Sequence, residues 1–301
     1  MNNSIKSVII DTFGHTSNIP SLFLKRCNGV IKKNIVDQIL DELNISLVDL
    51  QIKLLPVAAS SHITPISDFA VGAVVVGASG SLYFGSNIEF IGTGLQFTIH
   101  AEQCAIVNAA QHQEKAISTI AVNAAPCGFC RQFINELNDV NSVELIISGR
   151  KPKNFQYYLP DPFSGRDLGV KTGMLNHPVL NYQLQNDYSF DELYKTALAS
   201  ANSSYSPYSK YISGVAIKLR NGSIVGGSYY ESAAFNPSIS SIQSAIIRAR
   251  LNGESLDEIE EVVLLQTKSN YCDYRKITAE ILDSIAPDSI LTIGSISKNS
   301  T

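Results

Sequence analysis

The 301-residue chain carries one pattern of elements twice, and any fold assigned to it must be built twice. In the first copy, residues 69–78 read as a strand, Ser79-Gly80-Ser81 as a turn and residues 82–88 as a second strand. Residues 100–111 then read as a helix, 117–123 as a strand, 127–137 as a helix and 143–148 as a strand. In the second copy, 188–202 read as a helix, and 213–219 and 223–229 as a hairpin about Asn221-Gly222. A helix over 239–251, a strand over 261–266 and a helix over 277–285 follow. Gln103-Cys104-Ala105-Ile106-Val107 lies over Gln243-Ser244-Ala245-Ile246-Ile247, which puts His100 on Ser240 and Glu102 on Ile242. Strands alternating with helices predict a layered α/β sandwich, present twice.

The flanks fit this division. Ile31, Ile35, Ile39, Leu40, Leu43, Leu47 and Leu50 recur at helical spacing, so residues 1–47 are expected to form a small N-terminal helical segment. Residues 48–166 would make the first domain, 167–186 a linker poor in periodicity, and 187–301 the second domain. Tyr157, Tyr158, Leu159 and Phe163 could pack on either domain.

Three good metal ligands, one imidazole and two thiolates, separate the copies chemically. His100-Ala101-Glu102 is followed by Pro126-Cys127-Gly128-Phe129-Cys130. The two cysteines fall three apart on the first turn of a predicted helix, so both sulfurs can face one ion. A helix N-terminus favours thiolates. Zinc takes four ligands; a catalytic site supplies three and leaves one position to water. The count here is three plus a spare carboxylate. Zinc would lower the pKa of that water from about 15.7 toward about 7, and Glu102 would move its protons. The second copy has only Cys272 in the corresponding region, so one zinc per chain is expected. A structural zinc staple is the alternative, and it would need a fourth strong ligand. Cys104 is expected to be a small core residue. Cys27 and Cys272 are expected to be free thiols, and His15, His62, His112 and His177 surface or loop histidines.

A His-x-Glu motif followed by Pro-Cys-x-x-Cys matches the signature of zinc deaminases acting on nucleobases. Together with Asn87-Ile88-Glu89-Phe90 and Cys130-Arg131-Gln132-Phe133, it resembles the cytidine deaminase family, in its homodimeric type with one catalytic and one degenerate domain per chain. The resemblance covers residues 48–301. It implies an α/β/α three-layer sandwich of the cytidine deaminase type in each domain, and hydrolytic deamination of cytidine and deoxycytidine to the uridine nucleosides. It also implies that His100, Cys127 and Cys130 hold zinc, that hydroxide formed there attacks C4, and that Glu102 shuttles protons. Asn87 and Glu89 would bind the ribose. Phe69 would lie against the pyrimidine and Phe163 would cover it. The backbone of Ala101 and Ala125 would contact the base, and residues 233–236 of a second copy would close the site. Ala124 stands where many members have an aromatic residue, and Phe129 where some have His, which bears on pocket packing. Arg131 is either a donor to a thiolate or a surface residue.

Charge bears on the partner. The formal net charge is −4, and Lys151, Lys153, Arg248 and Arg250 read as scattered, solvated residues, so a small pyrimidine nucleoside is favoured over nucleic acid. A deaminase of polynucleotide bases or nucleotides would want a basic groove. A zinc-stabilised binding protein without turnover is a third reading. Five cysteines in a long chain do not resemble a disulfide framework. No run is long enough for a signal-peptide core or a membrane span, so a cytoplasmic, membrane-free protein is expected.

Overall fold

A computed structural model describes residues 27–176, 178–185, 191–269 and 271–299. Most of the expected N-terminal segment, together with His15, His177 and the start of the expected helix over 188–202, lies outside the described residues. The chain forms two compact units. Of the described residues, the first gathers those up to Glu89, Thr98–Phe163 and Leu251–Gly253, and the second gathers Phe90–Phe97 and those within 164–250 and 254–299.

The helical periodicity over 31–50 resolves into three pieces. Val30–Ile31 is a short strand β1, Lys33–Leu43 is helix α1 and Leu47–Ala59 is helix α2. Asn44 breaks the run by turning left-handed at φ 48°. Ser46 then starts a new helix: its Oγ accepts from Asp49 N at 3.1 Å and its N–H donates to Asp49 Oδ2 at 3.3 Å.

The first unit continues with β2 (Gly72–Gly77), β3 (Leu82–Ser86), α3 (Ala101–Gln111), β4 (Ile117–Val122), α4 (Gly128–Ile134), β5 (Glu144–Ile147) and β6 (Lys153–Asn154). Its sheet order is β1-β3-β2-β4-β5-β6. Strand β2 is antiparallel to β3 and β4, and β4 is parallel to β5. The start of β2 and the ends of β3 and β4 therefore share one edge, where the candidate residues gather.

The second unit holds β7 (Tyr182–Leu184), α5 (Glu192–Asn202), β8 (Ser213–Leu219), β9 (Ile224–Ser228), α6 (Ser241–Leu251), β10 (Ile259–Gln266), α7 (Arg275–Ile285) and β11 (Ile290–Lys298). Its order is β7-β11-β10-β8-β9. The core β9-β8-β10-β11 repeats β3-β2-β4-β5 in order and in strand direction. The segment expected to link the domains supplies β7, which pairs with β11.

Glycines show how helices cover both faces of each sheet. A Cβ on Gly72 would lie 2.4 Å from Leu55 O of α2, and one on Gly85 would lie 2.2 Å from Ala105 N of α3. In the second unit Gly214 meets Ala201 N of α5 at 2.2 Å, and Gly227 meets Ala245 N of α6 at 2.1 Å. Only a residue without Cβ admits helix backbone this close. Both units are α/β/α sandwiches built on the same contacts.

Two carboxylate clamps also recur. Glu114 accepts from Ser79 Oγ at 2.5 Å and Tyr83 OH at 3.0 Å, closing the β2–β3 hairpin tip against the end of α3. Glu254 accepts from Asn221 Nδ2 at 3.0 Å and Ser223 Oγ at 3.2 Å at the corresponding tip. Arg248 and Arg250, expected to be solvated, are half-buried on α6, and burial lowers both guanidinium pKa values. Arg250 Nη1 donates to Glu254 O at 3.2 Å. Helix α6 is covered on nearly all sides, so positions two apart on it are both partly buried, which net charge does not report.

Candidate metal centre

Helix α3 begins where the chain leaves an isolated bridge between Ile88 and Ile99. His100 is its N-cap, with N–H donating to Gln103 Oε1 at 3.1 Å. Glu102 sits in its first turn and is 4% exposed. Helix α4 begins after β4, with Cys127 as N-cap and Cys130 in the first turn. Pro126 therefore precedes the cap instead of occupying the first helical position.

Two helix starts at one sheet edge bring the ligands together. Cys127 Sγ lies 3.5 Å from His100 Nδ1 and 3.7 Å from Cys130 Sγ. All three ligand atoms fall within 4.8 Å of one another, and this is the one such group among the described residues. A tetrahedral zinc with Zn–S of about 2.3 Å and Zn–N of about 2.0–2.1 Å sets the sulfurs about 3.8 Å apart and sulfur and nitrogen about 3.6 Å apart. The donors already stand at those separations. Glu102 does not join the ligand group, yet its Oε2 is 3.2 Å from Cys130 Sγ.

The electrostatics of the donor set point the same way. The Cys130 thiol, followed by His100, brings Cys127 down to about 3, against the opposing effect of burial. Cys130 is pushed up by its neighbour Cys127 and by burial. Cys127 also raises His100. Two adjacent thiols cannot both ionise without a cation to share. A divalent ion held by His100, Cys127 and Cys130 would supply that charge.

The other candidates lie along the same edge. Asn87 Oδ1 accepts from Val71 N and its Nδ2 donates to Phe69 O, both at 2.9 Å. Glu89 accepts from Ile66 N at 2.9 Å, Ser67 N at 3.0 Å and Ser67 Oγ at 2.5 Å. Phe69 is an exposed loop residue after the left-handed Asp68, ahead of β2 and not within it. Ala101 is buried and Ala125 exposed. Phe163 is 49% exposed and ends the first unit. Arg131 donates to neither thiolate: its Nε goes to Pro126 O and its Nη1 to Tyr158 O, both at 2.9 Å. Cys104 is buried in the core, as expected, and burial pushes its thiol up to about 12. His62 Nδ1 pairs with Thr64 Oγ1 and His112 Nδ1 with Asn108 O, each at 2.8 Å. The contacts of Ser67, Gln132 and Asn135 are not readable from the sequence, because their partners are loop backbone and a carboxylate that no spacing reveals.

The second unit supplies an internal control. Tyr230 bridges Tyr205 and Ile239 as Ile88 bridges Ile63 and Ile99, so Tyr229 matches Asn87 and Glu231 matches Glu89. Glu231 accepts from Tyr208 N at 2.7 Å and Ser209 N at 3.1 Å, reproducing the Glu89 clamp. Tyr211 matches Phe69: each follows a left-handed residue, and each N–H donates to the serine two before it, at 3.1 and 3.2 Å. Tyr274 caps α7 as Cys127 caps α4. The rings of Tyr211, Tyr229 and Tyr274 pack on one another with centroids 5.1 to 5.8 Å apart. Tyr274 OH donates to Tyr229 OH at 3.1 Å. Aromatic side chains stand in the second unit at positions matching metal-ligand and candidate-site residues of the first.

Three protein ligands with a carboxylate at hand are the donor set of a hydrolytic zinc centre, whose fourth position is left to water or substrate. The zinc-binding region of cytidine and deoxycytidylate deaminases matches this chain twice, over residues 49–145 and 155–279. A cytidine deaminase of Vibrio cholerae is 43% identical over 240 residues, covering 80% of each chain. One of Photorhabdus laumondii is 44% identical over 236 residues, covering 78% of this chain and 79% of that one. The crystal structure of cytidine deaminase from Burkholderia pseudomallei, at 27% identity and a TM-score of 0.36, spans 40% of this chain and 100% of that one. The chain belongs to the cytidine deaminase family of zinc hydrolases acting on C–N bonds. No helix among the described residues is long and apolar enough to cross a membrane.

Proposed function

We propose that the chain converts cytidine and 2′-deoxycytidine, with water, into uridine and 2′-deoxyuridine plus ammonia. The observation that carries this reading is the spacing of His100 Nδ1, Cys127 Sγ and Cys130 Sγ beside a buried Glu102. Zinc, when bound, brings a water's pKa to about 7 and so supplies a nucleophile at neutral pH. Glu102 takes a proton from the attacking water and delivers protons to the pyrimidine ring and the departing amino group. The new C4–O bond replaces C4–N, and ammonia leaves. Positioned acid–base transfer of this kind contributes about 10²–10⁴-fold.

The remaining residues hold the substrate. After its loop contacts, Asn87 keeps one N–H and Glu89 keeps acceptor capacity on Oε1, enough to give and take one hydrogen bond each with a sugar hydroxyl. Phe69 and Phe163 are exposed rings for the pyrimidine faces. The backbone at Ala101 and Ala125 addresses the base edge. Exposed Ile66, Phe69, Phe129 and Phe163 in the first unit and Phe235 in the second supply apolar surface for a homodimer. Residues 233–236 of a second copy would then close the pocket. The cysteines are all free, which suits a reducing cytoplasm and a role in pyrimidine salvage.

The test is the ultraviolet absorbance of cytidine incubated with zinc-loaded protein. Conversion to uridine is expected, and an unchanged spectrum refutes the enzyme reading. Free cytosine, cytidine and deoxycytidine compared on Asn87→Ala and Glu89→Ala test the ribose roles. The nucleosides should lose far more kcat/KM than the free base, and equal losses sink the assignment.

A further inference from the structure

The paired units separate scaffold from chemistry without any outside comparison. A contact present in both serves the fold. A contact that disappears together with the metal ligands belongs with the site. The Glu89/Glu231 and Glu114/Glu254 clamps fall in the first class. Three polar side chains of α4 and its C-cap, Arg131, Gln132 and Asn135, fall in the second.

Gln132 Nε2 and Asn135 Nδ2 both donate to the carbonyl of Phe163, at 2.6 and 3.0 Å. Three residues apart, they share a helix face and meet on one acceptor. Arg131 holds the other end of the same arm through Tyr158 O at 2.9 Å, with its guanidinium 5.9 Å from the Tyr158 ring centroid. Its Nε also returns to Pro126 O, in the turn that presents Cys127. One short helix thus bears both thiolates and fastens residues 158–163 at both ends. Counted from the caps Cys127 and Tyr274, the second unit places Ile277 where the first has Cys130. On the same count Thr278, Ala279 and Leu282 stand where Arg131, Gln132 and Asn135 stand. The donors to Phe163 and Tyr158 vanish in step with the metal ligands.

We propose that Arg131, Gln132 and Asn135 are positioning residues that clasp the 158–163 arm to the metal-bearing helix and so set Phe163 over the substrate. The clasp itself rests on geometry alone; its effect on substrate rests on the proposed cytidine reading. Phe163 is half exposed, so its ring position depends on how its backbone is held, not on surrounding core. Two donors on one carbonyl fix that backbone at the last point before the chain passes to the second unit.

The experiment uses full-length, zinc-loaded protein and the variants Q132A, N135A, Q132A/N135A, F163A and the triple combination. Hydrogen exchange of residues 158–165 reads the clasp without any substrate. Faster exchange in Q132A/N135A at unchanged zinc content is expected, and unchanged exchange overturns the proposal. On cytidine, Q132A/N135A should raise KM about tenfold, the size expected for two neutral hydrogen bonds, with kcat within about threefold. The same pair of substitutions added to F163A should raise KM no further. A full additional rise in the F163A background, or a fall in kcat with KM unchanged, overturns the positioning role. Absent turnover in the wild-type protein would defeat the cytidine reading instead, and the exchange result would still decide the clasp.

Discussion

Gly85→Ala should disable the metal centre from the far side of the helix that carries it. An alanine Cβ at position 85 would meet Ala105 N at 2.2 Å, Ala101 O at 2.4 Å and Ala105 Cα at 2.8 Å. These are backbone atoms of α3, so no side chain can swing away. Ordinary carbon contacts lie near about 3.5–4.0 Å, so strand and helix must part by about 1 Å. Overpacking of this kind costs about 1–3 kcal/mol. The helix that must move starts at His100 and carries Glu102 in its first turn. A shift of about 1 Å in such groups can cost about 10²-fold in rate. Gly227→Ala is the matched control: its Cβ meets Ala245 N at 2.1 Å and Ser241 O at 2.4 Å, on a helix with no ligand. Thermal unfolding should fall in both variants. Zinc affinity, measured by competition with a chromophoric chelator, and cytidine turnover should fall by about tenfold or more only in Gly85→Ala. If the two variants lose stability alike yet keep zinc affinity and turnover alike, the sheet-to-α3 contact does not set the ligand geometry.

Two further outcomes separate roles at and away from the centre. Glu102→Gln should retain one zinc per chain by elemental analysis while turnover drops at least about 10²-fold; loss of metal would make Glu102 a ligand, and two zincs per chain would contradict a metal-free second unit. Glu114 lies below its ordinary pKa because the Ser79 hydroxyl, the Lys115 amide and the Tyr83 hydroxyl together outweigh burial. A depressed carboxylate stabilises the fold fully above its unfolded pKa of about 4.3 and loses that contribution as pH falls through the lower folded value. Thermal unfolding followed from pH 7 to 3 should therefore show a shallower acid decline in Glu114→Gln than in wild type, and an identical decline would remove Glu114 from the acid response.

What could be read from the sequence follows from what each feature depends on. That His100, Cys127 and Cys130 come together was legible because metal coordination restricts residue types and spacing, and alternating elements bring the helix starts to one end of the sheet. The doubled architecture was legible because hairpin and helix patterns recur in order. The break between α1 and α2 was written as Ser46 and Asp49 three apart, but the apolar period running from Ile31 to Leu50 masked it. The Phe163 clasp was illegible because its acceptor is a backbone carbonyl, which no residue type advertises.

The tyrosines of the second unit carry the argument one step further. Losing ligands alone would leave a polar hollow at the sheet edge, and buried polar groups without partners are costly. At that edge Tyr229 stands for Asn87, Tyr211 for Phe69 and Tyr274 for Cys127, and the three rings pack while their hydroxyls meet Glu231, Gln266 and one another. Glu231 keeps its clamp on the loop although no metal ligands stand beside it. The Glu89 clamp on its loop is therefore shared with a unit that has no His/Cys/Cys group among its described residues, and the proposed ribose contact would be a second duty. Under the proposed ribose reading, a substitution at Glu89 would mix loss of the loop clamp with loss of the sugar contact, whereas Asn87, whose counterpart in the second unit is Tyr229, would be the more direct test.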